Sequence, residues 1–267
     1  MAMCRFGMVV LGLLLLPPVA WATDVAAPVS NLSTSSTRQS APARSVKAPQ
    51  PNTDTGGKRA VFAREQASRD AYEIANWVVD SGDNAGLPFV IIDKTDAKIF
   101  VFDAGGRIRG ASPVLLGLAR GDDTVPGIGD RELSDIRPEE RTTPAGRFVA
   151  GRGMSTRGVD VVWVDYDAGV SLHRVITANP RDRRLERLAT PTPADNRISY
   201  GCINVPVAFY NEVVNPSFNG TNGIVYVLPE TRPIRQVFGS YDIEERHQAA
   251  VRAPGNSIIA GVLPANR

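Results

Sequence analysis

Cysteine and histidine are scarce in this chain: two cysteines, Cys4 and Cys202, and two histidines, His173 and His247, among 267 residues. Charge of one sign is lacking too. Lys and Arg number 30 against 28 for Asp and Glu, a net charge of +2, and there is no long basic run. That balance implies no nucleic-acid partner. A membrane-crossing helix needs about 20 apolar residues. The longest apolar run, residues 6–16, stops at Pro17-Pro18.

That run reads as an export leader. Arg5 supplies the positive start, and Ala20-Trp21-Ala22 is a small-x-small cleavage signal. The expectation is a signal peptide over residues 1–22, cleavage after Ala22, and no transmembrane segment thereafter. An uncleaved anchor is the other reading. Cys4 precedes the apolar run and is misplaced for a lipid anchor. Once the leader is gone only Cys202 remains, with no intramolecular partner in a compartment where disulfides form. Such a cysteine is either an intermolecular bridge or a reactive thiol.

Residues 23–58 are rich in Ser, Thr, Pro and Ala, too poor in apolar surface to offset chain entropy, and read as a disordered linker. Residues 59–86 form an N-terminal helical segment: Phe62, Ala67, Ala71, Ile74 and Val78 recur at helical spacing, and Gly82 follows as a stop. Residues 87–230 form the main domain. Apolar stretches at 89–92 and 99–102, then 112–117, are separated by polar turns and predict a β-meander. Further strands are expected at 147–150, 159–164, 170–176 and 223–228. Asp93, Asp96 and Asp103 read as solvated turn residues rather than a metal site. The adjacent pairs Asp122-Asp123 and Glu139-Glu140, in a long polar loop over 118–142, read as a solvated face. Residues 231–267 form a C-terminal extension with a short polar helix near 243–250, where His247 sits among charged neighbours and is expected to be solvated.

The run Ile198-Ser199-Tyr200-Gly201-Cys202-Ile203-Asn204-Val205 carries the chemistry. Gly201 permits a tight turn. Asn204 and Pro206 suggest a helix start, with Val207, Tyr210, Val213 and Val214 as its apolar face. Cys202 is then expected just ahead of a helix N-terminus, where thiolate is favoured and backbone N–H groups offer an oxyanion hole. His173 ends an apolar strand and is the candidate base, since Cys and His need be neighbours only in space.

These residues resemble the L,D-transpeptidase catalytic domain, also called YkuD-like. The likeness rests on His173 followed by Ser199-x-Gly201-Cys202-x-Asn204, supported by Thr143-Pro144-x-Gly146-x-Phe148 and the strand pattern over residues 87–229. It implies a mainly β, sandwich-like fold with a few short helices. It implies peptidoglycan stem peptides as donor and acceptor, a Cys thioester, no cofactor, no metal, and a periplasmic or cell-wall location. Cys202 and His173 would be catalytic; Tyr200, Gly201, Ser199, Asn204 and Arg174 are candidates for the oxyanion hole and substrate site. Tyr200 departs from the family, which usually has a second histidine there. Arg174 stands where small residues are common, which leaves the group that orients His173 open; a backbone carbonyl is the natural candidate. The separation 202 − 173 = 29 is long. Its extra residues, 180–196, read equally as a lid or a surface insertion. A hydrolase of wall peptides on the same fold, and a non-catalytic wall-binding module, are the rival readings.

Overall fold

A computed structural model of the chain describes residues 58–252. Residues 1–57, which carry the expected leader and linker, and residues 253–267 lie outside the described residues. The fold is mainly β, with few and short helices. Eight strands run in the order β3-β2-β1-β10-β5-β6-β7-β9. In chain order these are β1 Phe89–Asp93, β2 Lys98–Phe102, β3 Ile108–Pro113, β5 Gly146–Met154, β6 Asp160–Asp165, β7 Val170–Arg174, β9 Ile203–Val205 and β10 Gly223–Val227; β4 Leu116–Gly117 and β8 Arg197–Ser199 make a separate parallel pair.

One strand explains the sandwich character. The first half of β5, through Ala150, pairs with β10, while Gly151 to Met154 pair with β6. The strand thus turns a corner from one half of the sheet into the other. The two edges come back together where Leu115, just past β3, bridges to Asn204 of β9. Val90, Ile92, Val101, Val162, Leu172, Ile203 and Val225 point inward and form one core. Alternation sends Phe89, Ile91, Phe100, Phe102, Ile224 and Tyr226 outward, where helix α1 (Arg69–Ser81) covers them. Each such fully buried side chain contributes roughly 1.5–3 kcal/mol.

Helix α1 begins ten residues later than expected from residue 59. Ser68 caps it, its hydroxyl accepting from Ala71 N, and Gly82 ends it in the left-handed region at φ 72°. Phe62 belongs to the preceding extended stretch, where Val61 bridges Arg107. Its ring packs on Phe100 and Phe102 of β2 and on Tyr72 of α1. After β10 come α5 (Ile234–Phe238) and α6 (Ile243–Arg252). His247, on α6, is half-buried rather than solvated. Among the described residues no helix is long and apolar enough to cross a membrane.

The long loop is held by the carboxylates that its sequence pattern placed in water. Asp122 is 3% exposed. It takes backbone N–H bonds from Glu230, Thr231 and Arg232, and an ion pair at 2.9 Å from the fully buried Lys94. Glu140 is also buried and receives Arg131 and Arg137. Only their neighbours Asp123 and Glu139 are exposed. Asp93, too, is buried, accepting from Thr95 N, Asp96 N and Ser68 Oγ.

Burial opposes ionisation of Asp122, but the Thr231 hydroxyl, Lys94 and the backbone donors outweigh it and hold its pKa far below the ordinary 3.8. Its contribution is therefore full at neutral pH and lost as the pH falls below that ordinary value. Asp122→Ala takes the nearer carboxylate from a buried ammonium, leaving it Glu230 at 3.7 Å, and urea unfolding is expected to show a loss of about 3 kcal/mol.

Candidate active site

Strands β7 and β9 run parallel, with Leu172 opposite Ile203, His173 opposite Asn204 and Arg174 opposite Val205. Leu172, Ile203 and Val205 enter the inner core. Side chains alternate along a strand, so Ser171, His173, Cys202 and Asn204 share the opposite side. Helix α1 covers the other half of the sheet, which leaves this side to the loops.

The Cys202 thiol lies 3.6 Å from Ser171 Oγ and 3.5 Å from the Gly169 carbonyl oxygen. Burial opposes the thiolate. Hydrogen bonding and charge from His173, with hydrogen bonds from Ser171, outweigh it and bring the thiol below its usual pKa. The His173 ring is aimed by its own chain: Nδ1 is 2.7 Å from the Arg174 carbonyl oxygen. A carbonyl only accepts, so Nδ1 carries the proton and Nε2 is left with its lone pair. A thiol beside an oriented imidazole is an activated nucleophile.

The approach to Cys202 differs from the expected helix start. Residues 203–205 are strand β9, and the helical run begins only at Val207, with Pro206 rather than Asn204 at its cap. It comprises α3 (Val207–Phe209), a π turn (Tyr210–Val214) and α4 (Asn215–Ser217). Pro216 has no N–H for a regular turn, consistent with the widening before it. A strand thus separates Cys202 from the helix terminus, so His173 and Ser171, not the helix dipole, account for the lowered thiol.

The remaining candidate residues divide by what they touch. Ser199 donates to the Cys202 carbonyl at 2.6 Å and accepts from Gly201 N. Asn204 also donates to that carbonyl, and its own oxygen accepts from Arg184 at 2.9 Å. These three groups shape the turn: the Ser199 hydroxyl and the Gly201 N–H each spend their one proton there, while the Asn204 amide spends one of its two. Gly201 sits at φ 131°, and a Cβ there would come 2.7 Å from Thr142 O, so the turn admits glycine alone. Arg174 faces away from the thiol: it pairs with Asp160 and stacks on the buried Tyr210 ring. Tyr200 is at the surface, with the Arg141 guanidinium 4.0 Å over its ring.

Two residues at the site were not named as site candidates from sequence. Ser171 precedes His173 by two positions in one strand, a spacing that puts both on one face. Thr143 is fully buried; its hydroxyl donates to Gly201 O at 2.8 Å and accepts from Gly117 N at 2.9 Å. Thr143→Val keeps the shape and loses both bonds. We expect Cys202 alkylation by iodoacetamide to slow about tenfold, with Thr143→Ser restoring it, in line with a net hydrogen-bond worth of about 0.5–1.5 kcal/mol.

The 180–196 segment is folded onto the domain. Helix α2 (Arg184–Ala189) buries Leu188 against Leu115, Val175 and Ile198. Arg184 reaches from it to Asn204, the register partner of His173. Among the described residues no cluster of His, Cys, Asp or Glu could hold a metal ion.

No protein-family model matches the chain, and no curated protein matches it. Solved structures of three L,D-transpeptidases are similar to it. One is from Xylanimonas cellulosilytica, at 17% identity over 53% of this chain and 60% of that chain, TM-score 0.33. One is from Stackebrandtia nassauensis, at 18% identity over 55% and 57%, TM-score 0.33. The third is a mutant from Enterococcus faecium, at 16% identity over 53% and 49%, TM-score 0.30. The chain spans about half to six tenths of the length of these proteins.

Proposed function

We propose that this protein is an exported cysteine acyltransferase of the L,D-transpeptidase type, acting on peptidoglycan stem peptides. The observation that carries the reading is the Cys202 thiol on the same side of β7 and β9 as His173, whose ring is oriented by the Arg174 carbonyl and which draws the thiol below its usual pKa. The motif Ser199-x-Gly201-Cys202-x-Asn204 supports it.

Nε2 of His173 takes the thiol proton, and the thiolate attacks the carbonyl of the diamino-acid residue of the stem. The C–N bond to the terminal D-alanine breaks, and His173 returns the proton to the leaving amine. The thioester remains on Cys202. An acceptor amine then attacks it, gives a proton to His173, and releases the thiolate with a new amide bond. These steps use only the chain's own groups, and substrate of this kind lies outside the cytoplasm.

Water in place of the amine would make the same protein a carboxypeptidase. Product analysis by mass spectrometry, with and without an acceptor amine, separates the two. The transferase reading expects cross-linked product to rise with amine at the expense of hydrolysed stem. Hydrolysed stem alone, at every amine concentration, would overturn it.

A further inference from the structure

Register lines up one row of residues across the open side of the sheet. Gly151 pairs with Trp163, and Trp163 with Ser171. Ser171 stands beside Cys202, one step before the Leu172–Ile203 pair. Trp163 therefore lies in the nucleophile's own row, two strand spacings away, roughly 10 Å. Its indole lies against β5 at Gly153: a Cβ there would come 2.7 Å from indole Cδ1 and 2.9 Å from Nε1. Any larger residue would displace the ring. Tyr166, 75% exposed, meets the indole nearly edge-on, with ring centroids 5.1 Å apart and planes at 66°. A bulge between Trp163 and Asp165 bends the strand at this point.

A lone exposed aromatic is ordinary. Here two rings form an angled corner, seated on a glycine, on the side that carries the thiol. The acids Asp165 and Asp167 flank Tyr166 in the chain and are not fully buried. An apolar ring face bordered by hydrogen-bond acceptors suits a sugar: axial C–H groups stack on the aromatic face, and hydroxyls donate to the carboxylates.

We propose that Trp163 and Tyr166 form a saccharide subsite that stacks a pyranose ring of the glycan bearing the donor peptide. This rests on the reading that Cys202 attacks a wall stem peptide. The dimensions agree with it. The indole leans onto β5, away from β7, so platform and thiol are two to three strand spacings apart, roughly 10–14 Å. An extended peptide advances about 3.3–3.6 Å per residue, so about three to four residues bridge them. The ring at the head of a short stem and a carbonyl near its far end are held at once.

Two measurements on the full chain test this. In Cys202→Ala protein, which does not turn over, binding of a peptide-free wall disaccharide is titrated by isothermal calorimetry. A saturable heat of binding is expected, lost in Trp163→Ala and largely kept in Trp163→Phe, which retains a ring. In protein with Cys202 intact, thioester formation is timed with a stem peptide bearing the disaccharide and with the same peptide lacking it. The sugar-bearing stem is expected to react about tenfold faster at low concentration. The ratio of the two rates should fall toward one in Trp163→Ala and stay raised in Trp163→Phe. No saturable sugar binding, or equal rates with both stems in the unaltered site, overturns the proposal. Sugar binding without acylation by either stem upholds the platform and overturns the acyltransferase reading instead.

Discussion

Cys202→Ala is expected to reduce acyl transfer to background while leaving the protein folded. The reaction proceeds through a bond to Sγ, so no neighbouring group replaces it: the nearby Ser171 hydroxyl, 3.6 Å from that sulfur, has an ordinary alcohol's reluctance to ionise. Loss of one sulfur costs little packing, because the turn is held by other groups. Ser199 and Asn204 bond the Cys202 carbonyl, and Thr143 bonds Gly201. Unfolding by urea should shift only slightly, whereas product formation should vanish. Retention of most of the activity would remove Cys202 from the chemistry.

His173→Ala is expected to be nearly as damaging, by roughly 10²–10⁴-fold, the usual worth of a positioned base. It has a second signature that a packing role would not give. His173 helps to hold the thiol below its ordinary value of 9.0 against the effect of burial. In the unaltered protein the midpoint of the alkylation rate against pH should lie below that value. Without the imidazole, burial acts unopposed by its main counterweight, and the midpoint should move upward. An unmoved midpoint would show that His173 does not act on the thiol. Changing His247, on α6 of the C-terminal extension, should leave both readings alone.

Much of this arrangement was legible in the chain. The runs Phe89–Ile92 and Ile99–Phe102 are apolar on both faces because the inner core takes one face and α1 the other. Ser171 and His173 share a face through the simplest strand periodicity. Other features depended on partners remote in sequence. Asp122 is buried beside the exposed Asp123 because Lys94 and the segment after β10 converge on it, which adjacency in sequence does not express. Phe62 and Ala67 fit a helical period, but Ser68 offers a cap only after them, and the extended stretch gains pairing with Arg107. The pattern Ile203-Asn204-Val205 was a strand signal of period two. It sits beside β7, which has an open edge to pair, and so the cap chemistry of Asn204 gives way to a β bridge. The 180–196 segment read equally as a lid or an insertion because its one buried apolar side chain is Leu188, while its other anchor, the buried Asn196, bonds Val114, which lies remote in sequence.

The most direct test of the central claim is the intact mass of the full chain, quenched in acid shortly after mixing with a tetrapeptide stem. A covalent adduct equal to the stem less its terminal alanine is expected, mapped by fragmentation to Cys202 and discharged by added amine. A protein whose Cys202 alkylates rapidly, yet which never gains that mass while the stem is consumed, would contradict it.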